Sequence, residues 1–421
     1  MLDQDNKPQD DYEGLPEIYR TLGCNLNERP LGTHKLDCSH YTDPASHQAE
    51  LDNIFAESWL IVGRADDIRE PGQYFRFEMQ ALSASVIVVR AKDDSIRAYH
   101  NVCPHRGSKI VRESAGKCAA FTCPFHGWTF GFDGKLRDVP GERFFDDLDK
   151  QKETLPPVHV DVWGGFVFVN LSETPRWTLH EYVQPLSDAL HRYLGDQTWY
   201  WKKGYSLMLD TNWKLPVEAQ VEGYHVDALH GKTIAGGVSS IGTPPRLYPD
   251  SVGVPGGVSV YRHEYDTGGI QTTVAQVSAK YGSSSLYTQS QTDKQTAQVF
   301  PGAIPDDPMW VFDNYLFFPN VVLFVQRGQF FIQRTWPIEV GKTLWEVDFF
   351  STTKGDTFGD AFNLEQGMLQ LRDVLSEDLN TQEGAYANIA SGRFSKANMN
   401  DLEVVVRAFM QHVNRANQGA L

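Results

Sequence analysis

Hydrophobic residues change their spacing along the chain, and each change predicts a different kind of element. Residues 47–63 carry apolar side chains at helical intervals, which predicts a helix. From residue 70 to residue 170 the apolar runs are short and are broken by turn residues, as in "SASVIVVRAKDDSIRAYHNV". Such a pattern is typical of short strands joined by tight turns. We therefore expect a small, mostly β module in this part of the chain.

The rest of the chain alternates between helical and extended patterns. Residues 178–195 and 215–230 have helical spacing, strand patterns return from 310 to 336 and from 344 to 353, and the last sixty residues are helical again. A Gly/Ser/Pro-rich tract occupies residues 231–300. Loop regions of that length are usually functional or mobile, so we expect this tract to form the lid and entrance of a site.

The net charge excludes two classes of partner. The chain has 421 residues, with 38 Lys and Arg against 54 Asp and Glu, which gives a formal net charge of -16. Its length favours two domains. A protein this acidic is poorly suited to nucleic acids or to anionic membranes, and we expect neither as a partner.

Three features of the chain predict a reducing, cytoplasmic location. The N-terminal stretch lacks the basic and apolar regions of a signal peptide, and no apolar run approaches the ~20 residues of a membrane span. The five cysteines are odd in number and scattered, which argues against a disulfide framework.

Four of the chemistry-bearing residues form two mixed Cys-His pairs. Cys103 and His105 lie in "CPHRG", and Cys123 and His126 lie in "CPFHGW". A zinc finger would pair cysteine with cysteine, whereas each pair here combines one thiolate with one imidazole. That donor set suits a [2Fe–2S] cluster in which one iron takes two Cys and the other takes two His. A structural zinc site is the alternative, and Cys118, between the pairs, is an ordinary thiol.

Both loops resemble those of the Rieske iron–sulfur proteins. The resemblance implies that Cys103, His105, Cys123 and His126 hold a Rieske cluster. The Pro and Gly residues of the loops fit that role because such turns can direct backbone N–H groups at the cluster sulfides.

A second pair of histidines lies downstream. His225 and His230 are five residues apart, which separates them by about 140° around an ideal helix. Both could bind one metal only if the helix ends, bends or bulges between them. By spacing alone, two such histidines are more often one packed and one solvated side chain than a metal site.

The stretch around these histidines, "NWKLPVEAQVEGYHVDALHGK", resembles the mononuclear iron motif of the Rieske non-heme iron oxygenases. The resemblance implies that His225 and His230 bind iron, that Glu222 is the acid linking the two metal centres, and that Tyr224 flanks the site. Two positions depart from the pattern. Glu222 replaces the usual Asp. Ala219 stands where an Asn often follows the glutamate of the helix, and this chain therefore has no counterpart of that Asn. A solvated helix acid is the alternative for Glu222.

A third ligand is expected from a carboxylate, because the two-histidine sites of non-heme iron proteins are completed by one. The resemblance places it within residues 376–383. There Asp378 lies on the apolar stripe of the helical pattern, whereas Asp373 and Glu377 are expected to face water. A buried carboxylate needs a partner, which a metal or a buried salt bridge would supply. Glu383 is the second candidate.

Together the motifs resemble the large (alpha, terminal oxygenase) subunit of the aromatic-ring-hydroxylating type, over roughly residues 45–415. The resemblance implies an α+β fold, with a small all-β Rieske domain and a larger helix-grip-like catalytic domain built on an antiparallel sheet. The implied domains are an N-terminal segment packing on the catalytic domain (1–55), the Rieske [2Fe–2S] domain (56–170) and the catalytic mononuclear iron domain (171–421).

The resemblance also implies a reaction. Such an enzyme uses O2, Fe(II) and electrons from an NAD(P)H-dependent reductase, directly or through a ferredoxin, and we expect it to mono- or cis-dihydroxylate an apolar, aromatic substrate. The chain has no GxGxxG nucleotide motif of its own. The alternatives are a demethylase or monooxygenase acting on a small polar compound, and a Rieske-type electron carrier with no oxygenase site.

The assembly implied by the resemblance is a head-to-tail homotrimer, with or without a small β subunit. In it Glu222 would link His126 of one subunit to His225 of the next. Five aromatic residues on the late strands are candidates to line the substrate pocket, although alternating aromatics in strands are more often core. They are Phe317, Phe318, Phe324, Phe331 and Trp336.

Overall fold

The computed structural model describes residues 31, 35–184, 186, 188–230, 233, 245–248, 251–261, 310–326 and 328–421. They form two compact units. One contains Gln48–Val183 and Asp188–Asp196, and the other contains the described residues before Gln48, between Val183 and Asp188, and from Gln197 onward. The predicted domain boundaries after residues 55 and 170 stay predictions. No helix in these ranges is both long and apolar enough to cross a membrane.

Strands and helices are numbered here in chain order. The strands are β1 Leu36–Asp37, β2 Leu60–Arg64, β3 Gln73–Met79, β4 Ala84–Arg90, β5 Ile96–His100, β6 Ala115–Lys117, β7 Phe121–Thr122, β8 Thr129–Phe130, β9 Leu136–Asp138, β10 Pro157–Trp163, β11 Phe166–Asn170, β12 Trp201–Leu209, β13 Pro245–Leu247, β14 Gly256–Tyr261, β15 Trp310–Phe317, β16 Val321–Gln326, β17 Gln329–Glu339, β18 Lys342–Ser351 and β19 Lys396–Ala397. The α-helices are α1 Pro44–Glu50, α2 Leu179–Val183, α3 Asp188–Gly195, α4 Lys214–Gln220, α5 Val226–Leu229, α6 Phe358–Ala390 and α7 Val404–Asn417.

The smaller unit is built on β-structure, as the short alternating runs predicted. A seven-stranded antiparallel sheet has the order β2-β11-β10-β5-β4-β3-β6, and a three-stranded sheet has the order β7-β8-β9. Its core includes Ile87 and Val89 of the larger sheet and Phe121 and Phe130 of the smaller one. Cys103 is buried in the same core, so the loop that carries it rests on a rigid base.

The helix predicted over residues 47–63 is shorter than expected. It runs through α1 and continues as one π-helical turn over Leu51–Phe55, after which residues 60–64 form β2. Leu60 pairs with Val169 of β11 in the sheet. Sheet pairing therefore overrides the helical spacing at this end, because the "LIVG" run also suits a strand.

The larger unit has the α+β, helix-grip-like architecture that was predicted. Its seven-stranded antiparallel sheet has the order β12-β18-β17-β16-β15-β14-β13, and α4 packs against the long helix α6. The predicted strands over 310–336 and 344–353 are β15 to β18. The tract at 231–300, predicted to be a lid, lies mostly outside the described residues.

Helix α6 presents one apolar face to the interior of this unit. Thr357 caps its first turn by accepting a hydrogen bond from the backbone N–H of Asp360 at 3.1 Å. Leu371 and Leu375 are buried one turn apart, and Asp378 follows them on the same face. The predicted stripe is therefore correct for these three residues, and it places a carboxylate inside the unit.

Candidate metal centres

Two loops of the smaller unit share one backbone conformation. In the first, the N–H of Cys103 donates to the carbonyl of Ser108 at 2.8 Å, and the N–H of Gly107 donates back to the carbonyl of Cys103 at 2.9 Å. In the second, the N–H groups of Cys123 and Gly127 make the equivalent bonds at 2.8 and 2.9 Å. Each loop therefore turns back on itself within five residues of its cysteine.

A glycine makes each of these turns possible. Gly107 has φ of +74° and Gly127 has φ of +76°, in the left-handed region that side chains disfavour. A Cβ on Gly127 would also lie 3.0 Å from Cγ of Pro140. The glycines of "CPHRG" and "CPFHGW" are thus required by the loop geometry.

The turns place the predicted cluster ligands in two neighbouring pairs, His105 with His126 and Cys103 with Cys123. The rings of His105 and His126 have centroids 4.6 Å apart. Cys103 and Cys123 are each 2 % exposed and are not joined in a disulfide. Burial raises the pKa of Cys103 to about 11, and the neighbouring thiol of Cys123 acts in the same direction. Burial therefore disfavours a negative charge on Cys103 unless a bound cation compensates it.

One nitrogen of this group has an unmet bonding capacity. Nδ1 of His105 is buried and has no hydrogen-bond partner within the described ranges. The His105 ring is held by stacking on Trp128, with centroids 4.8 Å apart and planes 6° apart. Two buried thiols and an unpartnered imidazole nitrogen fit the mixed donor set of a Rieske-type [2Fe–2S] cluster, which would deprotonate the thiols on binding.

The second candidate centre lies in the larger unit, where a very short helix separates two histidines. Helix α5 has a single turn, with His225 immediately before it and His230 immediately after it. The helix therefore ends between the two histidines. At a spacing of five residues this is one of the conditions under which both can bind one metal. Their ring centroids lie 5.1 Å apart at an angle of 79°.

Asp378 of helix α6 completes the group. Its Oδ1 lies 3.3 Å from Nε2 of His225 and 3.0 Å from Nε2 of His230, and the residue is 3 % exposed. Oδ1 makes no well-aligned hydrogen bond, so only electrostatic attraction satisfies it here. One donor atom from each residue lies within 4.8 Å of the others. Two imidazoles and one carboxylate fit the facial triad that binds Fe(II) and leaves positions open.

The opposite nitrogen of each imidazole is bound by a glutamate. Nδ1 of His225 contacts Oε1 of Glu222, and Nδ1 of His230 lies 2.7 Å from Oε2 of Glu377. A carboxylate at Nδ1 fixes the tautomer of a histidine and leaves Nε2 for the metal. Both Nε2 atoms therefore face Asp378, and each is the nitrogen of its ring that can bind a metal.

The charges around these histidines attract cations. Burial opposes the protonation of His225, but its contacts with Asp378 and Glu222 raise its pKa to about 10. Burial also opposes protonation of His230, and Asp378 and Glu377 raise its pKa. The two histidines in turn lower the pKa of Asp378 despite its burial. The carboxylates around the two imidazoles therefore favour a positive charge at this position.

The prediction that Glu377 faces water is wrong. Its side chain is 29 % exposed, and its Oε2 also accepts a hydrogen bond from Oγ1 of Thr233 at 2.7 Å. Asp373 does face solvent, as predicted. The helical pattern could not show the role of Glu377, because its partners lie in a different segment of the chain.

The other predicted residues occupy different positions around the site. Glu222 is 12 % exposed and accepts the backbone N–H groups of Tyr224 and His225, so it is not a free solvated acid. The side chain of Tyr224 points outward and is 54 % exposed. Glu383 accepts the backbone N–H of Asp210 at 2.9 Å and is not part of the converging group. The metal-binding roles themselves stay predictions.

The "NWK" sequence anchors the short helix that leads to the site. Asn212 is fully buried, and its amide donates to the carbonyls of Tyr41 at 3.0 Å and Val340 at 2.9 Å. Trp213 packs edge-on against Phe409 at 5.8 Å. These contacts fix helix α4, and Gln220 at its end reaches Asp378 with its Nε2 atom 2.6 Å from Oδ2.

A cavity open to solvent adjoins the histidines, and the empty space in and at the mouth of it, bulk solvent included, is about 710 Å³. Two of the five aromatic residues predicted to line it, Phe324 and Phe331, do so. Phe317 and Phe318 are buried in the core, and the indole N–H of Trp336 donates to Glu346 at 2.7 Å, so the prediction is wrong for these three.

Asn314 also lines this cavity and was not predicted. Its Nδ2 donates to the carbonyl of Gln220, which fixes the orientation of the amide. Its Oδ1 is buried and has no hydrogen-bond partner in the described part of the chain. A buried carbonyl oxygen of this kind is costly unless something else binds it. The residue that carries this oxygen is part of the cavity wall.

Two family models match separate parts of the chain. The family model for the ring hydroxylating alpha subunit (catalytic domain) matches residues 177–419, and the model for the Rieske [2Fe-2S] domain matches residues 58–149.

Two curated relatives indicate different substrates. The chain is 35% identical over 211 residues to the glycine betaine monooxygenase oxygenase subunit of Chromohalobacter salexigens, which is 50% of this chain and 46% of that protein. It is 41% identical over 140 residues to the benzene 1,2-dioxygenase subunit alpha of Pseudomonas putida, 33% of this chain and 31% of that protein. The chain thus matches half or less of the length of these relatives.

A solved structure of a quaternary ammonium Rieske monooxygenase, reported for carnitine oxidation by gut microbiota and for inter-subunit electron transfer, has the same fold. The TM-score is 0.72 at 20% identity, and the match covers 94% of this chain and 97% of that one.

Proposed function

Because the chain belongs to the ring hydroxylating alpha subunit family, we propose that it is a terminal oxygenase that monooxygenates a small quaternary ammonium compound. The observation that carries the proposal is the convergence of His225, His230 and Asp378 on a cavity with aromatic walls. This substrate corresponds to the small polar compound that sequence analysis gave as the alternative. The apolar, aromatic substrate expected first is less well supported.

The relatives favour this substrate class. The glycine betaine enzyme, matched over half of this chain, and the quaternary ammonium monooxygenase, matched in fold, both have names that specify a compound with a quaternary ammonium group. The benzene dioxygenase subunit is matched over a shorter part of the chain.

Charge around the site supports a cationic substrate. Three carboxylates, those of Glu222, Glu377 and Asp378, surround the two histidines. No Lys or Arg is found among the described residues that line the cavity. With one divalent metal bound, the formal charge of the carboxylates and the metal is 2 - 3 = -1. A positively charged ligand would therefore be attracted to the cavity, whereas a neutral hydrocarbon would gain nothing from this field.

The cavity walls provide the contacts that a trimethylammonium group makes. The rings of Phe324 and Phe331 are stacked with centroids 4.3 Å apart, and Phe312 lies 5.5 Å from Phe324. Aromatic faces attract quaternary ammonium ions through the ring quadrupole. The unpartnered Oδ1 of Asn314 adds a negative dipole to the same cavity.

The same aromatic walls are the reason to retain the second candidate, an apolar aromatic substrate. Phe rings and aliphatic residues such as Val374 and Leu375 contribute much of the lining. Such a surface would also accept a benzene ring by apolar contact alone. The two substrates differ in charge, so they can be compared directly.

The residues have separate roles in the proposed reaction. His225, His230 and Asp378 would hold Fe(II), which would supply the O2-activating chemistry, and the Cys103 and Cys123 loops would hold the cluster that supplies electrons. Glu222 and Glu377 orient the imidazoles. The phenylalanine walls exclude water and direct a methyl group of the substrate toward the metal.

Electron supply and assembly are part of the proposal. A separate NAD(P)H-dependent reductase, with or without a ferredoxin, would reduce the cluster. Within a head-to-tail homotrimer Glu222 would link His126 of one subunit to His225 of the next, which its contact with Nδ1 of His225 supports. A cytoplasmic location completes the proposal, with or without a small β subunit in the assembly, and the free thiols of Cys103 and Cys123 are compatible with a reducing compartment.

The experiment begins with protein purified without oxygen. About three irons and two acid-labile sulfides per chain, with a Rieske EPR signal after reduction, are expected from one cluster and one mononuclear site. Zinc without sulfide would contradict both centres. A Rieske cluster that transfers electrons, in a chain without mononuclear iron, would instead identify an electron carrier.

Turnover assays with a surrogate reductase then distinguish between the two candidate substrate classes. Glycine betaine, choline, carnitine and benzene are supplied at equal concentration, and products are identified by mass spectrometry. Oxidation of the ammonium compounds with release of formaldehyde or an aldehyde supports the proposal. A dihydrodiol from benzene, with no ammonium product, would support the aromatic substrate instead.

A further inference from the structure

Three buried side chains connect the sheet of the larger unit to Asp378. The indole N–H of Trp345 donates to Oε1 of Gln333 at 3.1 Å. Nε2 of Gln333 donates to Oε1 of Gln220 at 3.0 Å, and Nε2 of Gln220 donates to Oδ2 of Asp378 at 2.6 Å. We propose that this relay determines which oxygen of Asp378 binds the metal. The inference deepens the proposed function and rests on its metal site.

The relay has only one possible direction. An indole N–H is a donor and has no acceptor, so Gln333 must turn its carbonyl oxygen toward Trp345. The amide nitrogen of Gln333 then faces Gln220, which must present its own carbonyl. Gln220 is left with its N–H group directed at Asp378. The single donor at Trp345 therefore fixes two amide orientations in succession.

Burial makes this direction costly to reverse. Trp345 is 0 %, Gln333 is 2 % and Gln220 is 8 % exposed. Turning either amide by 180° would place two carbonyl oxygens or two N–H groups against each other at a buried position. The orientation at Asp378 is thus set by a residue two amides away.

The consequence for Asp378 is a difference between its two oxygens. Oδ2 is occupied by the N–H of Gln220, while Oδ1 has no hydrogen bond and lies within 3.3 Å of both Nε2 atoms. The relay therefore presents Oδ1 alone to the metal and holds Asp378 as a one-oxygen ligand. A one-oxygen carboxylate leaves one more metal position free for O2 than a two-oxygen carboxylate does.

A tryptophan on the neighbouring strand provides a matched control. Trp336 of β17 is also buried, and its indole N–H donates to Glu346 at 2.7 Å. Trp336 is not part of the relay. Trp345→Phe and Trp336→Phe each remove one buried indole N–H from adjacent strands, but only the first removes the donor that orients Gln333.

The experiment uses the full chain, with its cluster, and Co(II) alone as the probe of the mononuclear site. Co(II) affinity is measured by titration, and coordination is followed by the visible absorption of the bound ion. Thermal denaturation without added Co(II) measures stability. We expect Trp345→Phe to weaken Co(II) binding about tenfold and to change the intensity of the absorption bands. Trp336→Phe should leave both unchanged.

The relay would be overturned if the visible absorption spectrum and the Co(II) affinity of Trp345→Phe matched those of Trp336→Phe. If Trp345→Phe does not fold, Gln333→Met tests the same connection by removing the middle amide at nearly constant volume. The same loss of affinity and spectral change is expected, and their absence overturns the relay. Failure of the unsubstituted chain to bind Co(II) would instead remove the proposed metal site, and the relay with it.

Discussion

Glu377 and Asp378, adjacent in sequence, bind opposite nitrogens of the same imidazole. Oε2 of Glu377 lies 2.7 Å from Nδ1 of His230, and Oδ1 of Asp378 lies 3.0 Å from Nε2. Neighbouring residues on a helix point about 100° apart, so the ring must fit into the angle between them. His230 is 2 % exposed in that position. Its orientation is therefore determined from both sides before any metal binds.

The contact of Glu377 with His230 predicts weaker metal binding when the glutamate is neutralised. Glu377→Gln retains the size of the side chain but removes the charge that holds His230, and we expect a loss of metal affinity of about tenfold. Asp373→Asn, an exposed acid on the same helix, is the control and should have no effect. Co(II) titration measures both. Equal affinities would show that Glu377 does not orient His230.

Asp378→Asn is expected to remove the mononuclear metal while retaining the cluster. Iron should fall from about three to about two per chain, with labile sulfide and the Rieske EPR signal unchanged. Glu383→Gln, which changes the second candidate acid, should keep all the iron. Iron analysis of both variants decides between these carboxylates, and loss of iron in Glu383→Gln would assign the role to Glu383.

Glu222→Gln is expected to keep both metals but to slow substrate oxidation severely, because the proposed connection between the two centres would lose its charge. Iron and sulfide are measured first, and reoxidation of the reduced cluster in a single turnover is then followed optically. Slow reoxidation with full iron content supports the role of Glu222. Unchanged turnover would remove Glu222 from the electron path.

The acceptor oxygen of Asn314 predicts an effect that depends on substrate charge. We expect Asn314→Leu to raise KM for choline about tenfold, since an interaction of roughly 1.4 kcal/mol between a cation and a buried carbonyl is lost. The neutral isostere 3,3-dimethylbutanol, in which carbon replaces the ammonium nitrogen, is the matched control and should lose little. Equal changes in KM for both compounds would mean that Asn314 only shapes the cavity.

His40 predicts a pH dependence of stability that is separate from the metal site. Burial lowers the pKa of His40 to about 4, and the nearby Lys214 ammonium acts in the same direction. In the unfolded chain the pKa is near 6.5, so below that value the unfolded state takes up a proton that the folded state refuses. The free energy of unfolding is therefore lost progressively as pH falls from about 6.5 to about 4.

Between pH 7 and pH 5 the contribution of His40 amounts to roughly 2 kcal/mol. His40→Gln cannot take up the proton and should lack this part of the loss. Urea denaturation of both proteins at the two pH values isolates the contribution, because other titrating groups are common to both. An identical pH dependence would show that His40 accepts a proton in the folded chain.

The sequence by itself determined the local features of this protein. The order of Cys103, His105, Cys123 and His126 specified one donor set, and the glycines after them specified the turns that close it. The spacing of His225 and His230 showed that they could share a metal only if the helix ends, bends or bulges between them, and the helix ends at Leu229. The apolar stripe of α6 placed Asp378 inside. Each of these depends on residues close together in the chain, whose geometry follows from backbone periodicity.

Only the tertiary structure decided which side chains from distant segments meet. A helical pattern separates an inward from an outward face, but it does not show that His230 of another segment covers Glu377. Likewise the registers of β17 and β18 bring Gln333 and Trp345 together, and the packing of helix α4 brings Gln220 to them. Hydrogen bonds of this kind depend on how whole helices and strands are placed relative to one another. The alternation of polar and apolar residues contains no information about that placement.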